Sequence, residues 1–334
     1  MRSTTLPARD LWYSEGHINY YYGGQYFAVF LTKLSHTKVE LTYNLMRTFV
    51  AGLAFAMPFS LVYQMMSDRM KGLQKSEKVI KGLPFAAGFT AGTAVSIAGN
   101  MHYVIYAQII PLIEKLTGKE VSSYWFPDAT RYIGYNPYRE EDRTIHEFPC
   151  YSFVLGDLHA HVVNIMFVLL VIALLYVWLR GVRKKTVPVE TSMKDGKFWK
   201  EQLLMPHLLV ISALLGMFQW TNFWDFVIYY VVTLGTVLFA NIIRFQGKIK
   251  KIMVVTFAQM AEIYLLAYLV ILPFTLQFDT MVDGIGIAKY HSYFYQLLVL
   301  WGLPAVFTIT FVISILWEKL RGMEHKSLYR LMKA

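Results

Sequence analysis

The chain has 334 residues, 56% of them hydrophobic and 16% charged, with a mean hydropathy of +0.39. A soluble chain of this size would carry roughly 25% charged residues, so a multi-pass membrane protein is the expected class. The net charge of +10 sits between apolar runs, where it serves topology and attraction to anionic lipid rather than nucleic acid. One cysteine, Cys150, excludes an internal disulfide.

The N-terminus, Met1 to Glu15, has no apolar core of a signal peptide. Residues 18–35 are aromatic and would reach about 27 Å as helix. Gly23, Gly24, Gln25 and Lys33 interrupt them, so an outer-face re-entrant or interfacial segment is expected. Placing that segment outside requires an upstream helix, and the chain is therefore expected to be a fragment or one half of a split protein. Apolar runs predict spans at 41–66, 83–110, 153–179, 203–220, 224–243, 253–275 and 293–317. The fold expected is all-α: a polytopic transmembrane bundle of about seven spans plus the N-terminal segment, forming a single membrane domain over 1–334.

Every second connection is basic. The loop 67–82 holds Arg69, Lys71, Lys75, Lys78 and Lys81, and 180–200 holds Arg180, Arg183, Lys184, Lys185, Lys194, Lys197 and Lys200. Arg244, Lys248, Lys250 and Lys251 follow, and Lys319, Arg321, Lys326, Arg330 and Lys333 close the chain. These four stretches are expected on the cytoplasmic side. The Tyr-rich segment 1–38, the loop 111–152, the turn 221–225 and the loop 276–292 then face outward. The outer connections also hold most of the chemistry-bearing residues, which argues for one shared site.

The richest stretch is Thr144 to His161, which sets Glu147, Asp157, His146, His159 and His161 at the mouth of the apolar run Val162–Leu179. Ionisable groups at membrane depth are costly and mark function. Asp157, His159 and His161 alternate, so extended backbone would set all three on one side, whereas a helix would separate His159 from the other two. Three readings stay open: a divalent site for Zn, Mn or Mg, a metal-free catalytic or phosphate-handling group, and a helix-capping cluster. Glu147 is a candidate base, metal ligand or partner for Arg131. Arg131 and Arg143 could hold phosphate. Tyr20, Tyr21 and Tyr22 form either an interfacial belt or a sugar platform with Asn19 and Gln25. Asn100, His102, Asn222 and Asp225 are candidate supporting residues, with helix capping as the alternative. Asp279, Asp283 and His291 line the last outer loop, where Gly284 and Gly286 suggest mobility.

Several motifs together resemble a known family. They are His17-Ile-Asn-Tyr-Tyr-Tyr-Gly-Gly-Gln-Tyr26, Leu31-Thr-Lys-Leu34, Thr42-Tyr-Asn-Leu45, Gly99-Asn100, Ile145-x-Glu147-Phe-Pro149, Ser152-Phe153, Leu155-Gly-Asp-Leu-His-Ala-His161, Thr221-Asn-x-Trp-Asp-Phe226, Leu272-Pro-Phe274, Gly284-Ile-Gly286 and Leu300-Trp-Gly302. Nearly the whole chain resembles the YYY family of uncharacterised bacterial and archaeal membrane proteins, which is similar to the C-type glycosyltransferases (GT-C). The resemblance implies a GT-C-like fold in the plasma membrane of a bacterium or archaeon. It also implies transfer of a sugar from a polyprenyl-phosphate donor at the extracytoplasmic face. Inverting chemistry would use Asp157 or Glu147 as base, His159 and His161 as assistants, and Arg131 on the phosphate. GT-C enzymes place an essential acid after their first helix, and the resemblance implies that this chain is expected to begin beyond that helix. Asp10 is then the early acidic candidate, and an upstream membrane segment or subunit is an expected partner beside the lipid-linked sugar and membrane lipids. The competing expectation is a transporter or scaffold for lipid-linked substrates, for which Glu262, deep in a span, speaks. A metal-dependent membrane hydrolase is a third.

Overall fold

The structure is a computed structural model that describes residues 3–13, 15–72, 77–184, 192–280 and 286–321. The expected site residue Asp283, Gly284, Lys75, Lys185 and most of the basic C-terminal tail lie outside the described residues. All regular structure among the described residues is helical. In chain order the helices are α1 (Gly23–Ser35), α2 (Val39–Gly72), α3 (Glu77–Ser96), α4 (Ile110–Leu116), α5 (Pro149–Leu155), α6 (Ala160–Lys184), α7 (Gly196–Leu203), α8 (Pro206–Thr221), α9 (Phe223–Phe245), α10 (Ile249–Thr275) and α11 (Phe294–Arg321). Five of them, α2, α6, α9, α10 and α11, are long and apolar enough to cross a membrane. The pair α7 and α8, bent by 49°, makes a sixth when counted as one span.

Two expected boundaries move. The expected span 83–110 is not one helix: α3 ends at Ser96, and a π-helical turn, Val104–Ile109, follows a break. The expected span 153–179 starts late, because Gly156 takes a left-handed φ of 76° and ends α5 before α6 begins at Ala160. The N-terminal segment forms the short helix α1. Its 13 residues reach only about 20 Å, too short to cross a hydrocarbon core of about 30 Å.

The chain divides into two compact units, one of 1–97 with 152–283 and one of 98–151 with 284–334. The first is built on α6, whose apolar residues pack in two directions. Val168, Val171, Leu175 and Trp178 meet Leu208, Ile211, Leu215, Val237 and Ile263 from α8, α9 and α10. Val162, Val163 and Met166 meet Ala28 of α1 and Met46 and Val50 of α2. Many outward positions of α9 and α10 are large and apolar, among them Phe239, Phe257 and Leu265, as a lipid-facing surface requires.

Hydrogen bonds orient the helices of this unit. The Tyr43 hydroxyl, at the start of α2, accepts from the Leu158 amide just before α6, at 3.1 Å. At the other ends of α2 and α6, Asp68 receives the Tyr176 hydroxyl at 2.7 Å and Arg180 at 2.9 Å. The two helices are therefore parallel. Arg69, Arg180, Lys200, Arg244 and Lys248 all belong to that second end, where Arg244 bonds Asn241 and Gln202, and Gln259 donates to the Gln202 carbonyl at 3.0 Å. The starts of α1, α2, α6 and α9 gather at the first end.

The second unit is small. Tyr132 and Ile133 pack on Val299 and Leu300 of α11, beside Ile105 and Tyr106. The Met101 amide donates to the Val299 carbonyl at 2.8 Å, and Gln296 Nε2 to the Asn136 carbonyl at 2.7 Å. An aromatic-rich loop is thus pinned to the start of α11.

Candidate functional site

In the first unit the Tyr-rich segment and the Asp157–His161 segment meet. Gln25, in the first turn of α1, donates through Nε2 to the Leu158 carbonyl at 3.0 Å. Gly23 and Gly24 allow that approach. A Cβ on Gly24 would stand 2.9 Å from Val163, and one on Gly23 would stand 2.8 Å from the Trp220 ring. The two glycines therefore serve helix packing, not a turn. Tyr22 packs edge-on against Trp220 and Phe274, and Tyr26 lies 5.0 Å from Trp220. Burial raises the Tyr22 phenol above its ordinary range and keeps it neutral. Tyr20 and Tyr21 stack on each other at 4.0 Å. Asn19 exchanges two hydrogen bonds with the Asp279 backbone, at 2.9 and 3.0 Å, which ties the end of α10 to the same place.

Residues 157–159 are non-helical, as alternate-residue convergence needs. The His159 carbonyl accepts the amides of Val162 and Val163, so His159 caps α6 through its backbone. His159 Nδ1 lies 2.9 Å from Asp157 Oδ2, with both side chains partly exposed. The His161 ring is 5.1 Å from that of His159. This is a carboxylate-oriented imidazole, a unit that can take a proton or present its outer nitrogen to a ligand. The neighbouring imidazoles of His159 and His161 also suit a borderline divalent ion such as Zn or Mn. In this geometry Asp157 already orients His159 and so is not a separate third ligand.

Asp225, at the start of α9, is held from below. Asn164, fully buried in α6, donates to Asp225 Oδ2 at 2.6 Å and accepts from the Thr221 hydroxyl at 2.7 Å. Asn222 occupies the N-cap of α9, but its side chain makes no capping bond. Asp10 accepts from the amides of Trp12 and Tyr13 at 2.8 and 3.4 Å, so it closes its own turn in the N-terminal segment.

A cavity of about 300 Å³ opens beside Asp157, lined by Asn44, Arg47, Thr48, Ser152 and Leu158. Arg47 lies against the backbone of Gly156, where a Cβ would come within 2.3 Å of its guanidinium. Its hydrogen bond goes to Asn44 Oδ1 at 3.1 Å, and no carboxylate pairs with it among the described residues. The sequence reading passed over Arg47 and Asn164. Each interrupts an otherwise apolar helical run, which is the signal that could have found them.

The other expected residues belong to the second unit. Asn100 donates to the Ala129 carbonyl at 2.6 Å and accepts from the His102 amide at 3.1 Å. His102 stacks on Tyr106 at 4.4 Å and lies 3.3 Å from the Tyr124 hydroxyl. Burial lowers its pKa, partly offset by Asp128. Both residues hold the loop 98–132 in shape. Arg131 lies 5.3 Å over Trp125, and Arg143 lies over Tyr138 and Tyr135. Glu147 is half-buried just before α5.

Glu262 lies inside α10, one turn beyond Gln259. The buried polar network at the basic end joins Gln202, Asn241, Thr256 and Gln259 and stops there. Glu262 makes no hydrogen bond to it among the described residues.

The chain belongs to a family described as uncharacterized membrane protein (DUF2298), whose sequence model matches residues 1–334. No curated protein and no solved structure matches it.

Proposed function

With that membership as the premise, we propose that the chain is an outer-face glycosyltransferase, or the catalytic part of one, related to the YYY and GT-C enzymes. It would transfer a sugar from a polyprenyl-phosphate donor. The observation that carries the reading is the 3.0 Å bond from Gln25 to the Leu158 carbonyl. It joins an aromatic, amide-rich helix start to a carboxylate–imidazole pair, at the end of the unit opposite the cluster of Arg69, Arg180, Lys200, Arg244 and Lys248. Basic residues favour the cytoplasm, so this end is assigned to the extracytoplasmic side.

In the proposed reaction Asp157, or His159 oriented by it, takes the acceptor hydroxyl's proton. The acceptor oxygen bonds to the anomeric carbon as the bond to the phosphate oxygen breaks, and polyprenyl phosphate leaves. A single displacement inverts the anomeric centre. Tyr20 to Tyr22, Asn19 and Gln25 would position the sugar. The roles that the resemblance implies for Arg131 and Glu147 fall on residues of the second unit and are not carried into this site. A divalent ion, where one takes part, would be held by His159 and His161 and would supply charge to the departing phosphate.

The transporter reading rests on Glu262. It loses support because the polar network of the basic end closes on itself at Gln259. The test is alanine replacement of Asp157 and of His159 in the native host, with lipid-linked sugars profiled by mass spectrometry. Deleting the gene should accumulate the donor, and either variant should reproduce that change. Wild-type profiles in both variants, beside an altered profile in the deletion, refute the enzyme.

A further inference from the structure

The seam between α2 and α6 is closed at two places. Towards the candidate site, Met46 and Val50 of α2 pack on Val162, Val163 and Met166 of α6. At the far end, Asp68 of α2 receives Tyr176 and Arg180 of α6. Between these closures a cavity of about 360 Å³ remains, with Ala56, Ser60 and Gln64 on one wall and Leu169, Ala173 and Val177 on the other. Four-residue steps keep each wall on one face of its helix. Ala56, Ser60 and Val177 are exposed, so the slot opens to the side of the bundle. Helix α3 takes the neighbouring face of α2, where Gly92 and Gly88 lie against Phe55 and Phe59.

The slot has the length of one leaflet. From Ala56 to Asp68 the α2 axis rises about 18 Å, and from Leu169 to Arg180 the α6 axis rises about 17 Å. Half of a hydrocarbon core of about 30 Å is about 15 Å. Ala56 is close to the middle of α2, so the slot starts near mid-membrane and ends at headgroup depth. Charge collects at that end. In the last turns of the two helices Arg69, Lys71, Arg180, Arg183 and Lys184 stand against one acid, Asp68. Arg180 turns Nε and Nη2 to Asp68, at 2.9 Å each, which leaves its Nη1 edge. Arg183 is exposed, and its charge reaches Tyr176 beside the same carboxylate.

We propose that the half of the α2–α6 seam towards Asp68 binds an anionic glycerophospholipid of the leaflet at the basic end, which charge assigns to the cytoplasm. One acyl chain lies between Ser60 and Ala173, and the phosphate lies against Arg180 and Arg183. An apolar slot one leaflet deep fits the chain, and the excess of cations over its mouth fits the phosphate. The small side chains of Ala56, Ser60 and Ala173 make the room. Asp68 holds the Arg180 fork so that its outer edge faces the headgroup. The site lies at the opposite ends of these helices from the candidate site, and it does not depend on the enzyme reading.

The experiment reconstitutes the full chain in nanodiscs of equal phosphatidylcholine and phosphatidylglycerol and counts retained lipids by native mass spectrometry. One phosphatidylglycerol should stay bound, enriched about tenfold over phosphatidylcholine. Arg183→Gln, at an exposed position, should cut that enrichment about fivefold. Ala173→Phe fills the slot and should remove most of the retained lipid of either kind. Ala56→Phe, on the facing wall, replaces it if that variant does not fold. Phe239→Ala, on the outward side of α9, is the control and should retain lipid like the wild type. Equal retention of the two lipids by the wild type overturns the proposal, as does unchanged enrichment in Arg183→Gln. Full retention of phosphatidylglycerol in the slot-filling variant also overturns it, and so does a control that loses the lipid as completely.

Discussion

Gly156→Ala tests the turn on which the candidate site is built. Gly156 has φ 76°, and an added Cβ would lie 2.3 Å from one guanidinium nitrogen of Arg47 and 2.4 Å from its central carbon. A left-handed φ costs a non-glycine residue about 1–2 kcal/mol. Displacing Arg47 from Asn44 adds up to about 1 kcal/mol, less at this partly exposed place. The expected loss is about 1–3 kcal/mol, read by SDS-titration unfolding in mixed micelles. Gly52→Ala is the control: it lies in α2 with nothing within 4 Å of an added Cβ and should be neutral or stabilising by about 0.5–1 kcal/mol. The same substitution in an Arg47→Ala background should cost less, by the share due to the collision, while the share due to φ persists. If Gly156→Ala behaves like Gly52→Ala, the strained-turn account is wrong. If its cost is equal in both backgrounds, the contact with Arg47 is wrong.

Asn164→Leu should destabilise the first unit by about 2–3 kcal/mol, because it strands the Asp225 carboxylate beside an apolar wall. Replacing Asp225 with Leu as well should recover most of that loss in the same titration, and no recovery would mean the two are not coupled. His102 carries a pH dependence. Its folded pKa lies below the ordinary value of 6.5, so the unfolded chain binds more protons in the window just below 6.5 and stability falls as pH drops through it. Hydrogen exchange of residues 98–109 should accelerate between pH 7.5 and pH 5, and His102→Gln should flatten that difference. An equal acceleration in the variant assigns the effect elsewhere.

The arrangement of the Tyr20–Tyr22 and Asp157–His161 segments was partly legible before any coordinates. The alternation of Asp157, His159 and His161, with Gly156 before them, is a local pattern, and the non-helical stretch it required is present. Asn100 and His102 show the reverse. They read as polar residues within a span, yet the span breaks after Ser96 and both serve a loop. Hydropathy averaged over a window cannot see such a break, because apolar residues of a packed loop score like those facing lipid.

By itself the sequence determined the class and where the basic clusters fall along the chain. Apolar runs longer than about 18 residues have no stable place in water, and clustered Lys and Arg mark one end of each span. Which distant residues meet was decided by tertiary packing alone. Gln25 reaches Leu158 across 133 positions, and Asn164 reaches Asp225 across 61. Periodicity says only which face of a helix is apolar. The partner that covers that face depends on side-chain shape, on the glycines that let α1 lie against α6 and α8, and on the few buried polar groups that must find one another.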